Sequence, residues 1–324
     1  MKLTVLGGGG FRVPLVYRAL GDTSPISEVV LHDVAPERLA AIRAVLEQIG
    51  TGPPVRATTD LDDALSGARF VFSAIRVDGL AGRTVDERVA LSCGVLGQET
   101  TGPGGIAYGL RTVPVAVHVA ERVAAVAPDA WVINFTNPAG MITEAMQRVL
   151  GERVVGICDS PIGLVNRAAR ALGLPEGERV VDYVGLNHLG WLRGLRVDGV
   201  DRLPDLLADD AGLASIEEVR LVGADWVRAI GALPNEYLYY FYRAARRWPP
   251  SVGRRARAGS TCSPSRSGST PTRRPTRQAP WSSGRGCAPS ATPATWPRAG
   301  RPAARASGRP RTSRAVATSR WPSS

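Results

Sequence analysis

Two short segments carry most of the chemistry that this sequence offers. In VGICDSPIGL, residues 155–164, an apolar run ends in Cys158 and Asp159 side by side, just before a proline. In GLNHLGW, residues 185–191, a second apolar run ends in Asn187 and His188. A thiolate and an imidazole together make an incomplete, open metal site that leaves positions for substrate oxygens and water. Each alone is ordinary: a lone cysteine at a strand end is usually a small buried hydrophobe, and a lone histidine a satisfied structural one. Other polar clusters stand out: the Gly7, Gly8, Gly9, Gly10 run, the NFTNP segment with Asn134 and Asn137, and QETTGPGG at 98–105, a loop rich in amide, carboxylate and hydroxyl groups. The two asparagines suit sugar hydroxyls or a nicotinamide amide, or simply cap the following helix. Arg76 directly follows an apolar run, and a guanidinium grips a phosphate with two parallel hydrogen bonds.

The elements that must position these groups alternate regularly. KLTVL reads as a strand, the four glycines as a loop, and FRVPLVYRAL as a helix with Pro14 in its first turn. EVVLHD ends at Asp33, and APERLAAIRAVLEQIG places apolar residues at helical spacing, which completes a β-α-β unit. VRATT, DLDDALSGA, RFVFSAIR, a helix over 81–93, a longer helix from near Ile106, AWVINF and RVVGI continue the pattern. Strands that are apolar throughout, between helices, predict an α/β fold: a Rossmann-like, doubly wound parallel sheet covered on both faces. Ligands of such sheets bind at the carboxyl ends of the strands, where the glycine loop, Asp33, Arg76, NFTNP and CDSP all fall. A glycine loop lets backbone and a helix N-terminus approach a pyrophosphate, and Asp33, 23 positions after Gly10, stands where an acid accepts the ribose hydroxyls of NAD. Arg12 occupies the third glycine position of the G-x-G-x-x-G pattern, which leaves NADP open as the dinucleotide. Beyond residue 165 a helix to Leu172, a strand-bend-strand through VVDYVGLNHLGWLRGLRV and mostly helical sequence to 245 predict a second, incomplete α+β domain. The division expected is 1–164 for the dinucleotide, 165–245 for substrate and metal, and 246–324 as a tail.

Charge is distributed very unevenly. The 324 residues carry a net charge of +11, yet residues 246–324 hold 17 of the 40 basic residues and none of the 29 acidic ones. The body is therefore mildly acidic, which argues against nucleic acid as its partner. The tail uses almost only Arg, Pro, Ala, Gly, Ser, Thr and Trp, lacks aliphatic periodicity and reads as disordered. Its alphabet is that of GC-rich codons, so out-of-frame translation is the favoured reading over a basic tail or a solvated linker. Cys93, Cys158, Cys262 and Cys287 have no disulfide or zinc-knuckle spacing. No apolar run has the length of a membrane span and no signal-peptide core follows Lys2, so a cytoplasmic protein with no membrane partner is expected.

Taken in order, GGGGFRVPLVYRAL, VLGQETTGPGG, INFTNPAGMITEA, CDSPIGL and GLNHLGW resemble glycoside hydrolase family 4, from Met1 to about Arg243. Most glycosidases use two carboxylates, and this family is an exception. The resemblance implies NAD and a divalent metal, usually Mn²⁺, with Cys158 and His188 as the metal ligands. It implies oxidation of the sugar at carbon 3, metal-assisted elimination across carbons 1 and 2, addition of water and re-reduction. A tyrosine of NEYLYYFY would take the carbon 2 proton, Tyr237 first and Tyr239 or Tyr240 otherwise, and Asp159 would protonate the leaving group. Arg76, Arg83 and Asn137 are assigned to the substrate phosphate and hydroxyls. The substrate implied is a phosphorylated disaccharide or glucoside, read as a 6-phospho-β-glucoside. The α anomer stands close behind, because aspartate beside the cysteine is commoner among α-type members. Family members continue well beyond YLYYFY, usually into a subunit interface, so a homo-oligomer is expected of an intact chain and an inactive product of a shifted one. A 2-hydroxy-acid dehydrogenase is the competing enzyme class, and it would need no thiolate metal ligand. Resequencing the codons for residues 240–255 tests the tail: another frame should restore an aliphatic, acidic, lysine-bearing sequence, and a genuine tail would show none.

Overall fold

Leu3 and Val5 of the first strand pack with Val29, Leu31, Leu39 and Leu46, whereas Leu6 packs with Val71, Val132, Ile142 and Met146. Alternate residues thus enter two different cores. This is why the strand reads as apolar throughout: both faces of its sheet are covered. The computed structural model describes residues 1–21, 24–175, 179–242 and 319–321, and these fall within a single compact unit.

The first part of the chain runs β1 (Lys2–Leu6), α1 (Val13–Leu20), β2 (Glu28–His32), α2 (Pro36–Ile49), β3 (Val55–Thr58), α3 (Leu61–Leu65), β4 (Phe70–Ser73), α4 (Gly79–Ser92), α5 (Gly102–Val126), β5 (Trp131–Asn134), α6 (Ala139–Leu150), β6 (Val154–Gly156) and α7 (Ser160–Ala171). The six strands form one parallel sheet in the order β3-β2-β1-β4-β5-β6. The order reverses between β1 and β4, so the loops after these strands diverge and open a crevice at the carboxyl edge. The expected α/β, Rossmann-like class is the observed one. α5 differs from expectation in starting at Gly102 rather than near Ile106. Pro103 suits a first helical turn, and the glycines of GPGG allow close packing. A Cβ on Gly104 would collide with the Gln98 carbonyl oxygen, and one on Gly105 would lie 2.7 Å from the Thr100 carbonyl carbon.

A second, antiparallel sheet follows. β7 (Arg179–Leu186) and β8 (Leu189–Val197) form a hairpin in which Leu186 pairs with Leu189, so Asn187 and His188 are its two-residue tip. β9 (Val200–Asp201), the short helices α8 (Leu203–Ala208), α9 (Asp210–Ser215), α10 (Glu217–Val222) and α11 (Ala224–Ile230), then β10 (Leu233–Pro234) and α12 (Leu238–Tyr242) complete this part. Its core is Leu164, Leu192, Leu195, Leu203, Leu213, Val227 and Leu233, with α7 shared from the first part. Arg167 of α7 is ion-paired with buried Glu218 of α10. Within the segment 246–324, read above as a disordered tail, β11 (Ser319–Trp321) pairs antiparallel with Arg179–Val181. An edge strand offers unpaired N–H and C=O groups to any extended segment, whatever its side chains. The rest of that segment lies outside the described residues. Among those described, no helix is long and apolar enough to cross a membrane.

The glycine loop is fixed by backbone contacts. Gly7 has φ +82°, and a Cβ there would lie 2.5 Å from the Ala74 carbonyl oxygen. Gly7→Ala should therefore lower the stability to urea by about 1–3 kcal/mol. Gly10→Ala, whose Cβ would meet only the Gly7 oxygen at 3.0 Å, should cost less. Equal losses for the two would contradict this account of the loop.

Candidate active site

A cavity of about 340 Å³ opens at the carboxyl edge of the parallel sheet. It is lined by Gly7, Gly10, Arg12, Arg76, Arg83, Asn137, Cys158, Asp159, His188 and Tyr237, so residues from segments far apart in sequence meet there. Gly8, Gly9 and Asp33 are not in the lining and act from behind it. The Asp33 carboxylate accepts the amides of Gly9 at 3.0 Å and Ala35 at 3.1 Å, tying the glycine loop to the end of β2. The loop differs from a ring of free donors. Gly7 and Gly8 N–H both donate to the His32 carbonyl, and Gly10 N–H donates to that of Gly7. Its glycines provide close approach, and the amides of Phe11 and Arg12, beside the N-terminus of α1, have no backbone hydrogen-bond acceptor among the described residues.

Cys158 and His188 converge: Sγ lies 3.4 Å from Nε2. With bonds of about 2.3 Å to sulfur and 2.1 Å to nitrogen, two donors on one ion lie about 3.1–3.5 Å apart at angles near 90–105°. The pair therefore fits a shared divalent cation. Among the described residues no cluster of three or more His, Cys, Asp or Glu side chains could hold a metal, so a cation here would keep open positions. His188 sits at the hairpin tip with φ 110°, a conformation rare for a residue with Cβ and characteristic of functional sites. Burial pushes its imidazole down to about 4, which keeps the neutral, ligating form at neutral pH.

Tyr237 lies flat against His188, with ring centroids 3.8 Å apart and planes 4° apart. The side-chain oxygen of Asn235 accepts the Tyr237 amide at 3.1 Å, and the Asn235 amide is bound to the Gly190 carbonyl at 2.9 Å, so the turn before α12 hangs on β8. Burial pushes the Tyr237 hydroxyl up to about 12. Ser160 Oγ donates to Glu236 at 2.6 Å, joining the start of α7 to the same turn.

Asp159 is the N-cap of α7, but its side chain does not cap the helix. It instead pairs at 2.7 Å with Arg12, whose guanidinium also lies over the Phe135 ring. Arg12 thus spans the pocket mouth from the glycine loop to the CDSP turn, and in this structure its ionic partner is a carboxylate. Arg76 and Arg83 share Glu99: Arg76 Nη1 and Arg83 Nη1 lie 2.8 and 3.0 Å from its Oε2. Tyr108 is buried between the guanidiniums of Arg76 and Arg111. Of the two NFTNP asparagines, only Asn137 lines the pocket. Asn134 is fully buried and bonded to the Thr136 and Ala139 carbonyls and to Thr143. Glu99, Tyr108 and Ser160 also line the cavity, and the residue-by-residue reading of the sequence missed them. Glu99 had a signal in the polar 98–105 segment, whereas Tyr108 inside a helix had none.

The profile of the family described as Family 4 glycosyl hydrolase matches residues 2–174, and that of its C-terminal domain matches residues 183–273. The chain is 36% identical over 265 residues to 6-phospho-alpha-glucosidase 1 of Lacticaseibacillus paracasei, covering 74% of this chain and 60% of that protein. It is 35% identical over 260 residues to the 6-phospho-beta-glucosidase of Escherichia coli, covering 75% of this chain and 58% of that protein. The chain thus spans about three-fifths of the length of these relatives. The structure of the 6-phospho-beta glucosidase from Thermotoga maritima, with manganese, NAD⁺ and glucose-6-phosphate, superposes with a TM-score of 0.69 at 25% identity, covering 80% of this chain and 62% of that one.

Glu99 offsets the charge of both pocket arginines. Glu99→Gln should therefore raise the affinity of the chain for inorganic phosphate roughly tenfold by titration calorimetry. An unchanged affinity would show that Arg76 and Arg83 do not form the anion seat.

Proposed function

This chain belongs to glycoside hydrolase family 4, and from that premise we propose that it hydrolyses 6-phospho-β-glucosides with the help of NAD and a divalent metal, Mn²⁺ first. The observation that carries this reading is the 3.4 Å approach of Cys158 to His188 on the wall of a pocket that also presents Arg76, Arg83 and the glycine loop. Residues 1–164 would hold the dinucleotide, with Gly7 to Gly10 against its pyrophosphate and Asp33 on its ribose. Residues 165–245 would complete the substrate and metal side. When bound, the dinucleotide supplies reversible hydride acceptance at carbon 3, and the metal supplies a Lewis acid for the sugar oxygens.

The chain's own groups do the rest. Cys158 and His188 hold the metal. Arg76 and Arg83 exchange their contacts with Glu99 for the substrate phosphate, a bidentate geometry that guanidiniums favour. Asn137 adds hydrogen bonds to sugar hydroxyls. Tyr237 removes the proton from carbon 2, and a positive charge held beside it by His188 opposes the burial that otherwise keeps its hydroxyl protonated. Asp159 protonates the leaving oxygen, for which it must release Arg12 and first take up a proton from solvent. The β anomer rests on the likeness of GGGGFRVPLV and NHLGW to β-type members, and the relatives carry both names. The α anomer is the second reading because an aspartate stands at position 159.

The full chain, supplied with NAD⁺ and Mn²⁺, should release nitrophenol from nitrophenyl 6-phospho-β-glucoside faster than from the α anomer. Omitting either cofactor should abolish release, and Cys158→Ser should lower turnover at least 100-fold, on the order of the loss of a first ligand. Turnover without NAD⁺ would contradict the reading, and faster α turnover would reverse the anomer.

A further inference from the structure

The segment QETTGPGG acquires a role once its hydrogen bonds are followed into the pocket. Gln98 Oε1 accepts the backbone amides of Thr100 and Thr101 at 2.6 and 2.8 Å. Two N–H donors aimed at one atom of a side-chain amide identify that atom as its oxygen. The Thr100 and Thr101 hydroxyls lie 3.0 and 3.1 Å from the same oxygen. A carboxamide oxygen has no hydrogen to give, so the Thr100 hydroxyl donates. Its remaining neighbours are the Tyr237 hydroxyl, which has a proton of its own to donate, and His188 Nδ1, at 3.0 Å. A hydroxyl has one proton, which is already committed to Gln98, so Nδ1–H is the donor in that contact. With its proton on Nδ1, a neutral ring carries its lone pair on Nε2.

The geometry points to Gln98 and Thr100 as positioning residues that hold His188 in the Nδ1–H tautomer, with the Nε2 lone pair turned toward Cys158 Sγ. Free histidine prefers the opposite tautomer, whose Nε2–H would stand where a cation has to bind. Metal-ligating histidines commonly have their other ring nitrogen fixed in this way by a hydrogen-bonding partner. The ring itself is kept in place by its stacking on Tyr237 and by the hairpin tip on which it sits. Gly104 and Gly105 serve the same end, because any side chain at either position would push the Gln98–Thr100 backbone away from α5. This inference rests on the reading of Cys158 and His188 as metal ligands, but its test can be made without metal.

The chain has three histidines, so the full chain labelled with ¹⁵N-histidine and free of metal gives three imidazole signals, and the set lost in His188→Gln belongs to His188. Long-range ¹H–¹⁵N spectra then show which nitrogen is protonated. The expected result is a proton on Nδ1 in the natural sequence. Thr100→Val, which keeps the shape and removes the hydroxyl, should move that proton to Nε2 and weaken Mn²⁺ binding roughly 10–100-fold. Thr100→Ser should restore both. An Nε2–H tautomer in the natural chain overturns the relay, and that spectrum decides the matter even if Thr100→Val does not fold. An unchanged Nδ1–H signal in a folded Thr100→Val chain overturns it equally. Because the tautomer is read without metal, a failure of Mn²⁺ to bind a chain with the Nδ1–H ring would count against the metal centre and not against the relay.

Discussion

The approach of Cys158 to His188 is the constraint on which the rest of the site depends, because it joins two sheets that are built independently. Cys158 stands just past the end of β6 in the parallel sheet, and His188 at the tip of a hairpin in the antiparallel one. Neither residue has a reason to meet the other from its own element alone. They meet because α7, which begins two residues after Cys158, is packed into the core of the second sheet through Leu164, Val165 and Ala168. The Ser160–Glu236 bond and the turn at Asn235 then seat Tyr237 against the imidazole. One helix therefore carries both the mechanical link between the sheets and the register of the site.

The pocket's arginines are each paired with carboxylates, Arg83 with Glu87 behind the lining as well as with Glu99, and the burial of each pair sorts its role. Arg12 and Asp159 have side chains 45% and 60% exposed. Exposed ion pairs of this kind contribute about 0–1 kcal/mol, so a ligand that contacts Arg12 can separate them at little cost. Arg76 and Arg83 share a Glu99 side chain that is only 13% exposed, which makes a stronger hold and a more selective one. Phosphate, with a larger charge and more acceptor oxygens than a carboxylate, is the kind of anion able to displace it. Deeper still, Arg111 grips buried Asp86 with two hydrogen bonds and, with Arg76, encloses Tyr108. That innermost pair holds α4 against α5 and does not reach the cavity. The charges thus grade from exchangeable at the mouth to structural behind the wall.

What was legible in the sequence follows from what local pattern encodes. The period of the apolar residues located β1 through β6 and their helices, and the rule that ligands gather at strand carboxyl ends brought the glycine loop, Arg76 and Cys158 to one edge of the sheet, where Gly7 and Gly10 but not Gly8 or Gly9 line the pocket. The start of α5 was not legible, because GPGG looks like a loop and becomes helix only through contact with the Gln98–Thr100 backbone. Asn134 looked as available as Asn137, and only burial separates them. Arg12 looked like a defect in a glycine pattern, and its bond to Asp159 spans 147 positions. Glu99 and Thr100 lay in a segment already marked as polar, but nothing local says that one meets two arginines and the other a histidine 88 positions away. Tertiary contact, not composition, decides each of these cases.

A titration of the metal-free full chain with Co²⁺, followed by the near-ultraviolet thiolate-to-cobalt charge-transfer band, tests the proposed cation site at Cys158 and His188 most directly. The account predicts one Co²⁺ per chain with that band, and its loss in both Cys158→Ser and His188→Gln while Cys93→Ser retains it. No band, or a band that survives Cys158→Ser, would mean that the thiol and the imidazole lie together without holding a metal.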